Sequence, residues 1–107
     1  MQHEVLLTDD AVRDLEDLYN YIFMHDSPVN AAYVLDEIEK VVEGLASLPD
    51  RGSHPKELQA VGIREYRETF FKPYRVIYRV MERQVFIYLI ADGRRDFRTL
   101  LEKRLLR

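Results

Sequence analysis

The side chains with the most chemistry to offer are arginines. Residues 51–107 hold fourteen basic side chains, and eleven of them are Arg. Arg64, Arg67, Lys72, Arg75, Arg79 and Arg83 lie on or beside candidate strands. Arg94, Arg95, Arg98, Lys103, Arg104 and Arg107 crowd the last fourteen residues. A guanidinium is a planar fork that grips a carboxylate or phosphate with two bonds and stacks on aromatic rings. Tyr66, Tyr74, Tyr78 and Tyr88 are interleaved with these cations. Arg and Tyr on a sheet suit RNA, through phosphate contact and base stacking. They equally suit a protein partner, because both are enriched in interface hot spots. Each Arg could instead pair with an acidic side chain of the same domain. As a cluster they point to a binding face.

Other chemistries are poorly supplied. There is no Cys, hence no thiolate nucleophile, disulfide or thiolate zinc site. His3, His25 and His54 are far apart and form no metal-binding pattern. His25-Asp26 reads as a solvated or capping pair in a tight turn. Gly93 stands alone, with no glycine-rich phosphate loop around it. The helical carboxylates, Asp14, Glu16 and Asp17 among them, avoid the apolar stripes. They read as an ionised, solvated face. The expectation is no metal, no cofactor and no catalytic residue.

The elements that must position the arginines follow from periodicity. Val5-Leu6-Leu7 reads as a short strand. Thr8 with Asp9 and Asp10 starts a helix, since their oxygens accept orphan N–H groups and suit its positive end. Val12, Leu15, Leu18, Tyr19, Ile22 and Phe23 stripe that helix over 9–25. Ser27-Pro28 starts a second helix to about 46, striped by Ala31, Val34, Leu35, Ile38, Val41, Val42 and Leu45. The short connection makes the two an antiparallel hairpin. Residues 47–62 form a long loop. Glu65 to Phe71 is a strand, broken by Lys72-Pro73. From Tyr74 the period is two, with Arg75, Ile77, Arg79 and Met81 on one face and Tyr74, Val76, Tyr78 and Val80 on the other. After a turn at Glu82-Arg83-Gln84, Val85 to Ala91 is apolar on both faces, as a central strand covered twice would be. Asp96 caps a last helix. The order β-α-α-β-β-β-α gives an α+β class, a helical hairpin on a small, mainly antiparallel sheet. The last helix could shield the other face or an edge, or leave it for a partner.

A length of 107 residues suits a single domain, 1–107. No basic, apolar leader is visible and the longest apolar run is far short of a membrane span, so a cytoplasmic setting is expected. Residues 1–50 carry two basic against twelve acidic side chains, net −10. Residues 51–107 carry fourteen against seven, net +7. The boundary therefore separates two layers of one domain, an acidic hairpin and a basic sheet with its C-terminus.

Several segments carry a resemblance. They are Leu7-Thr8-Asp9-Asp10-Ala11-Val12-Arg13-Asp14-Leu15, Ser27-Pro28, Leu48-Pro49-Asp50-Arg51-Gly52 and His54-Pro55. The most specific are Gly62-Ile63-Arg64-Glu65-Tyr66-Arg67, Phe71-Lys72-Pro73-Tyr74-Arg75-Val76-Ile77-Tyr78-Arg79 and Ile90-Ala91-Asp92-Gly93-Arg94-Arg95-Asp96. In this order they resemble the ParE branch of the RelE/ParE superfamily, toxins of type II toxin–antitoxin systems also labelled plasmid stabilization proteins. The resemblance implies a toxin held inactive by a cognate antitoxin, ParD-like or other, whose disordered end folds onto it. It also implies DNA gyrase as the target, with replication blocked and growth arrested. RelE-like relatives instead cleave mRNA on the ribosome. That chemistry needs groups to take and give a proton beside the cations. This chain's last aromatic is Phe97, which transfers none, and Tyr88 reads as core. The expectation is a gyrase-directed, non-enzymatic toxin, with a ribosome-dependent endoribonuclease as the alternative and direct nucleic-acid binding left open. The expected target face is Arg67, Arg75, Arg79, Arg94, Arg95 and Arg98. The expected antitoxin contacts are Leu15, Tyr19, Leu35, Ile38, Tyr74 and Arg104.

Overall fold

The computed structural model describes residues 2–106, so Arg107 lies outside the described residues. Strand β1 (Glu4–Leu7) leads into α1 (Asp9–His25) and α2 (Pro28–Gly44). A short helix, α3 (Lys56–Gln59), interrupts the loop that follows. Then come β2 (Arg67–Phe71), β3 (Tyr74–Met81), β4 (Gln84–Asp92) and α4 (Phe97–Leu105). The order matches the sequence reading, with α3 added. Four residues with one buried apolar side chain, Leu58, leave no period to detect.

Local chemistry sets the helix starts. The hydroxyl of Thr8 accepts from the Ala11 N–H at 3.1 Å, and that of Ser27 from the Asn30 N–H at 3.0 Å. Each cap satisfies one orphan donor, and Pro28 fits the first position of α2. Only Asp26 and Ser27 separate the helices, which forces them antiparallel.

The sheet runs β1-β4-β3-β2. β4 pairs antiparallel with β3, and β3 with β2, while β1 lies parallel to β4. The hairpin covers one face. There Val76, Tyr78, Val85, Ile87 and Ile90 meet Ala11, Ile22, Ala31, Val34, Ile38, Val42 and Leu45. The other face belongs to α4 and α3. Ile77, Leu89 and Ala91 meet Phe97, Leu101 and Leu58. Burying Phe97 and Leu101 contributes about 1.5–3 kcal/mol each, which docks α4 on that face. β4 is covered on both sides, as its apolar run required. The stripe of α1 is wider than its buried arc. Val12 and Phe23 remain exposed at its flank.

Alternation breaks once. Ile77 pairs with Leu89, but Tyr78 pairs with Ile87, so Tyr88 is an extra residue in β4. This bulge turns Tyr88 toward the α4 face, where its ring meets Tyr66 edge-on at 5.4 Å. Tyr88 is half-buried there rather than part of the core.

Tyr78 ties the long loop to the sheet. Fully buried, its hydroxyl donates to the Pro49 carbonyl at 2.7 Å and accepts from the Gly52 N–H at 3.1 Å. Only glycine fits at 52, since an added Cβ would stand 2.6 Å from that hydroxyl. Tyr78→Phe would leave both loop groups without their partner, at a cost of about 1–3 kcal/mol, readable by denaturant unfolding. Burial also raises the Tyr78 pKa. A raised folded pKa gives stability that is whole below the unfolded value and is lost as pH rises through the folded one. Unfolding free energy should therefore fall above about pH 10, and Tyr78→Phe should flatten that fall.

Candidate functional site

Two of the basic residues expected on the binding face are spent on the fold. Arg75 is 8% exposed. Its NH1 and NH2 donate to the two oxygens of Glu57 on α3, each at 2.9 Å. Its Nε donates to Oε1 of Glu68 on β2 at 2.7 Å. Its guanidinium lies 4.0 Å from the Phe97 ring centre. One cation thus joins α3, β2, β3 and α4. The hydrogen bond from Arg75 holds the Glu57 pKa below the usual carboxylate range. Burial pushes that of Glu68 upward despite the same cation. The expectation that Arg75 contacts a target is corrected by this burial, because every edge of its guanidinium is occupied.

Arg104 is the second. Its NH1 and NH2 hold both oxygens of Asp14 at 2.9 Å, and NH1 also donates to the Tyr88 carbonyl at 2.8 Å. Asp14 in turn accepts the Ile90 N–H at 3.0 Å. β1 ends opposite Ile87, which leaves the rest of β4 without a neighbour on that side. The Asp14–Arg104 pair takes the place of the missing strand and satisfies its polar groups. Arg104 therefore fastens α4 to α1. Asp14 is not solvated as its place off the apolar stripe implied. Four residues in β1 against an apolar run of seven in its neighbour was the signal that an edge needed filling.

The other predicted residues divide among three places. Leu15, Tyr19 and Leu35 line a groove on the outer side of the hairpin, with Leu7 and Val12. Ile38 is fully buried against the sheet, which corrects its assignment as an antitoxin contact. Tyr74 sits apart from that groove, in a cleft of about 510 Å³ between α1 and the end of β4. Leu18, Ile22, Ile90 and Ala91 line this cleft, along with Asp17, Tyr21, Arg94 and Arg95. Burial and the nearby Asp92 raise the Tyr74 pKa.

The remaining cations do not form one patch. Arg67 lies at the far end of β2 and donates to the Gly52 carbonyl at 2.7 Å. Arg79, on the α4 face, lies 5.9 Å from the Tyr66 ring centre. Arg98 reaches Glu102 one turn on. Arg94 and Arg95 sit together in the turn after β4, both exposed. Arg94 pairs with Asp92 through an exposed side chain and holds its carboxyl pKa down. Arg95 makes no ion pair among the described residues. That turn rests on Arg75. A Cβ at Gly93 would lie 2.8 Å from its Cδ, so glycine alone lets the two pass. Among the described residues no cluster of His, Asp and Glu is arranged to hold a metal. No helix of the described residues is long and apolar enough to cross a membrane.

Residues 5–97 match the family model described as ParE toxin of type II toxin-antitoxin system, parDE. The chain belongs to the ParE toxin family. No curated protein matches the sequence. Among solved structures the ParE-family fold recurs in a chromosomal ParDE toxin–antitoxin system from P. aeruginosa. That match has a TM-score of 0.70 at 18% identity, over 85% of this chain and 96% of that one. The toxin–antitoxin complex RelBE2 from Mycobacterium tuberculosis gives 0.64 at 20% identity, over 86% and 92%. A doubly Arg-to-Ala mutant of E. coli toxin RelE, in its free state, gives 0.67 at 13% identity, over 98% and 99%. At these identities the likeness speaks for the fold, a RelE/ParE-like α+β domain. Within this ParE-family chain, Arg104 from the basic half pairs with two hairpin carboxylates, Asp10 and Asp14.

Proposed function

We propose that this ParE-family toxin arrests growth in the cytoplasm by binding DNA gyrase through its cationic turn, without catalysing a reaction, and that a cognate antitoxin neutralises it. The observation that carries the reading is the division among the arginines. Arg75 and Arg104 are consumed inside, whereas Arg94 and Arg95 are held outward on a turn packed against Arg75. An exposed, braced pair of guanidiniums suits carboxylates on a protein partner. The likeness to a ParDE structure supports an antitoxin partner of ParD type. The hairpin groove of Leu15, Tyr19 and Leu35 offers an amphipathic helix its apolar seat.

One observation favours the ribonuclease reading. Arg79 above Tyr66, and Tyr66 against Tyr88, place a cation and two phenols on one face. Primer extension on translated mRNA after induction separates the two. The gyrase reading expects arrested growth, relief by the co-expressed antitoxin, and no codon-linked cuts. Codon-linked cuts at the onset of arrest would replace it with the nuclease.

A further inference from the structure

We infer that the cleft between α1 and the end of β4 is where the target docks, by inserting an apolar side chain between Tyr21 and Tyr74 while its carboxylates meet Lys72, Arg94 and Arg95. This rests on the reading of the target as a protein and assigns it a surface.

Three independent features meet at this end of the molecule. The first is a concave apolar site. The cleft of about 510 Å³ has Leu18, Ile22 and Ile90 on its walls and Tyr21 and Tyr74 at its mouth. The second is apolar surface continuing outward from it. Tyr21 is 62% exposed and Met24, one turn further along α1, is 76% exposed. A small ligand would use the cleft alone. Exposed Tyr and Met beyond its rim extend the contact to macromolecular size. The third is the sign of the rim. Tyr74 pairs with Asp92 across the ladder, and the Gly93 N–H donates to the Pro73 carbonyl at 2.8 Å. The turn carrying Lys72 and the turn carrying Arg94 and Arg95 are thereby fixed side by side. Lys72 and Arg95 make no ion pair among the described residues, so both are open to a partner's carboxylates. The single acidic group on the α1 wall that lacks such a commitment is Asp17, which disfavours a phosphate-rich partner on that side. Asp14 and Asp92 also line the cleft, but Arg104 and Arg94 pair with them. An aromatic-lined apolar socket with Arg94 and Arg95 on one side and Lys72 on the neighbouring turn fits an acidic protein surface with a protruding apolar residue.

The hairpin groove, lined by Leu15, Tyr19 and Leu35, lies on the opposite flank of α1 and meets the cleft at Asp17, which lines both. Target and antitoxin contacts can therefore be separated by mutation. Met24→Glu puts a negative charge into the apolar rim and leaves the core untouched. Met24→Leu keeps the apolar surface. Each is assayed for growth arrest on induction, inhibition of purified DNA gyrase, and co-purification with the cognate antitoxin. The expected result is that Met24→Glu inhibits gyrase about tenfold or more weakly, no longer arrests growth and still binds the antitoxin, while Met24→Leu behaves as wild type. If wild type fails to inhibit gyrase, the gyrase reading falls. The docking surface then stands provided Met24→Glu alone loses growth arrest. A folded Met24→Glu that arrests growth like wild type overturns the inference. So does a variant that loses antitoxin binding and keeps toxicity, or one whose lost toxicity tracks lost mRNA cleavage.

Discussion

Arg75→Met is expected to lower the unfolding free energy by about 3–5 kcal/mol, the range seen when one partner of a buried ion pair is removed. For a domain near 100 residues this means a drop in Tm on the order of 15 °C or more. Methionine roughly fills the space but leaves Glu57 and Glu68 facing each other without a cation. Glu68 is 7% exposed, so its charge cannot retreat into water. Acid should rescue the variant. In the native protein the Glu57 pKa is lowered by its bond to Arg75, so its contribution is present at neutral pH and lost as pH falls. Without Arg75 both carboxyls face burial and each other, which raises both pKa values. A raised carboxyl binds its proton more tightly in the folded state, so stability rises as pH falls through the carboxylate range. The deficit of Arg75→Met should therefore shrink from pH 7 toward pH 5. Denaturant unfolding at the two values checks this. A constant deficit would mean that lost packing against Phe97, not the stranded charges, sets the cost.

The second large effect falls on activity. Arg94→Glu combined with Arg95→Glu is expected to abolish growth arrest while leaving the fold intact. Both side chains are exposed, and the Arg94–Asp92 pair is a solvent-screened surface contact that contributes little to the fold. The turn keeps its shape because Gly93, Arg75 and the Asp96 cap of α4 set it. Charge reversal replaces two attractive contacts with two repulsive ones, and like charges at an interface cost several kcal/mol. Growth after induction, with circular dichroism on the purified variant, reads both halves of the prediction. Lys at both positions should recover part of the activity, since it keeps the charge and loses the fork.

Much of the scaffold was legible in the sequence, and particular residues show where legibility ended. Thr8, Ser27 and Asp96 cap the helices they were expected to cap. The doubly apolar run from Val85 predicted a strand covered on both faces, as β4 is. Arg75 and Arg79 are four residues apart on one strand face, with Ile77 between them, and look alike in sequence. They part company because Glu57 and Glu68, from distant segments, converge on the first alone. Asp14 looked like solvated charge until the end of β1 left the Ile90 N–H open beside it. Ile38 belonged to the stripe that buries the hairpin, so its burial was available from the pattern; the antitoxin assignment overrode it. The bulge at Tyr88 left no mark in an unbroken apolar run. Such convergences depend on tertiary distance, which local periodicity does not carry.

A cationic turn that acts on gyrase by contact should do so with purified components alone. Its most direct measurement is supercoiling by purified DNA gyrase titrated with wild-type toxin and with the Arg94→Glu, Arg95→Glu variant. Dose-dependent inhibition by the wild type is expected, with its loss in the variant and its reversal by the cognate antitoxin. Undiminished supercoiling at large molar excess of folded wild-type toxin would contradict it.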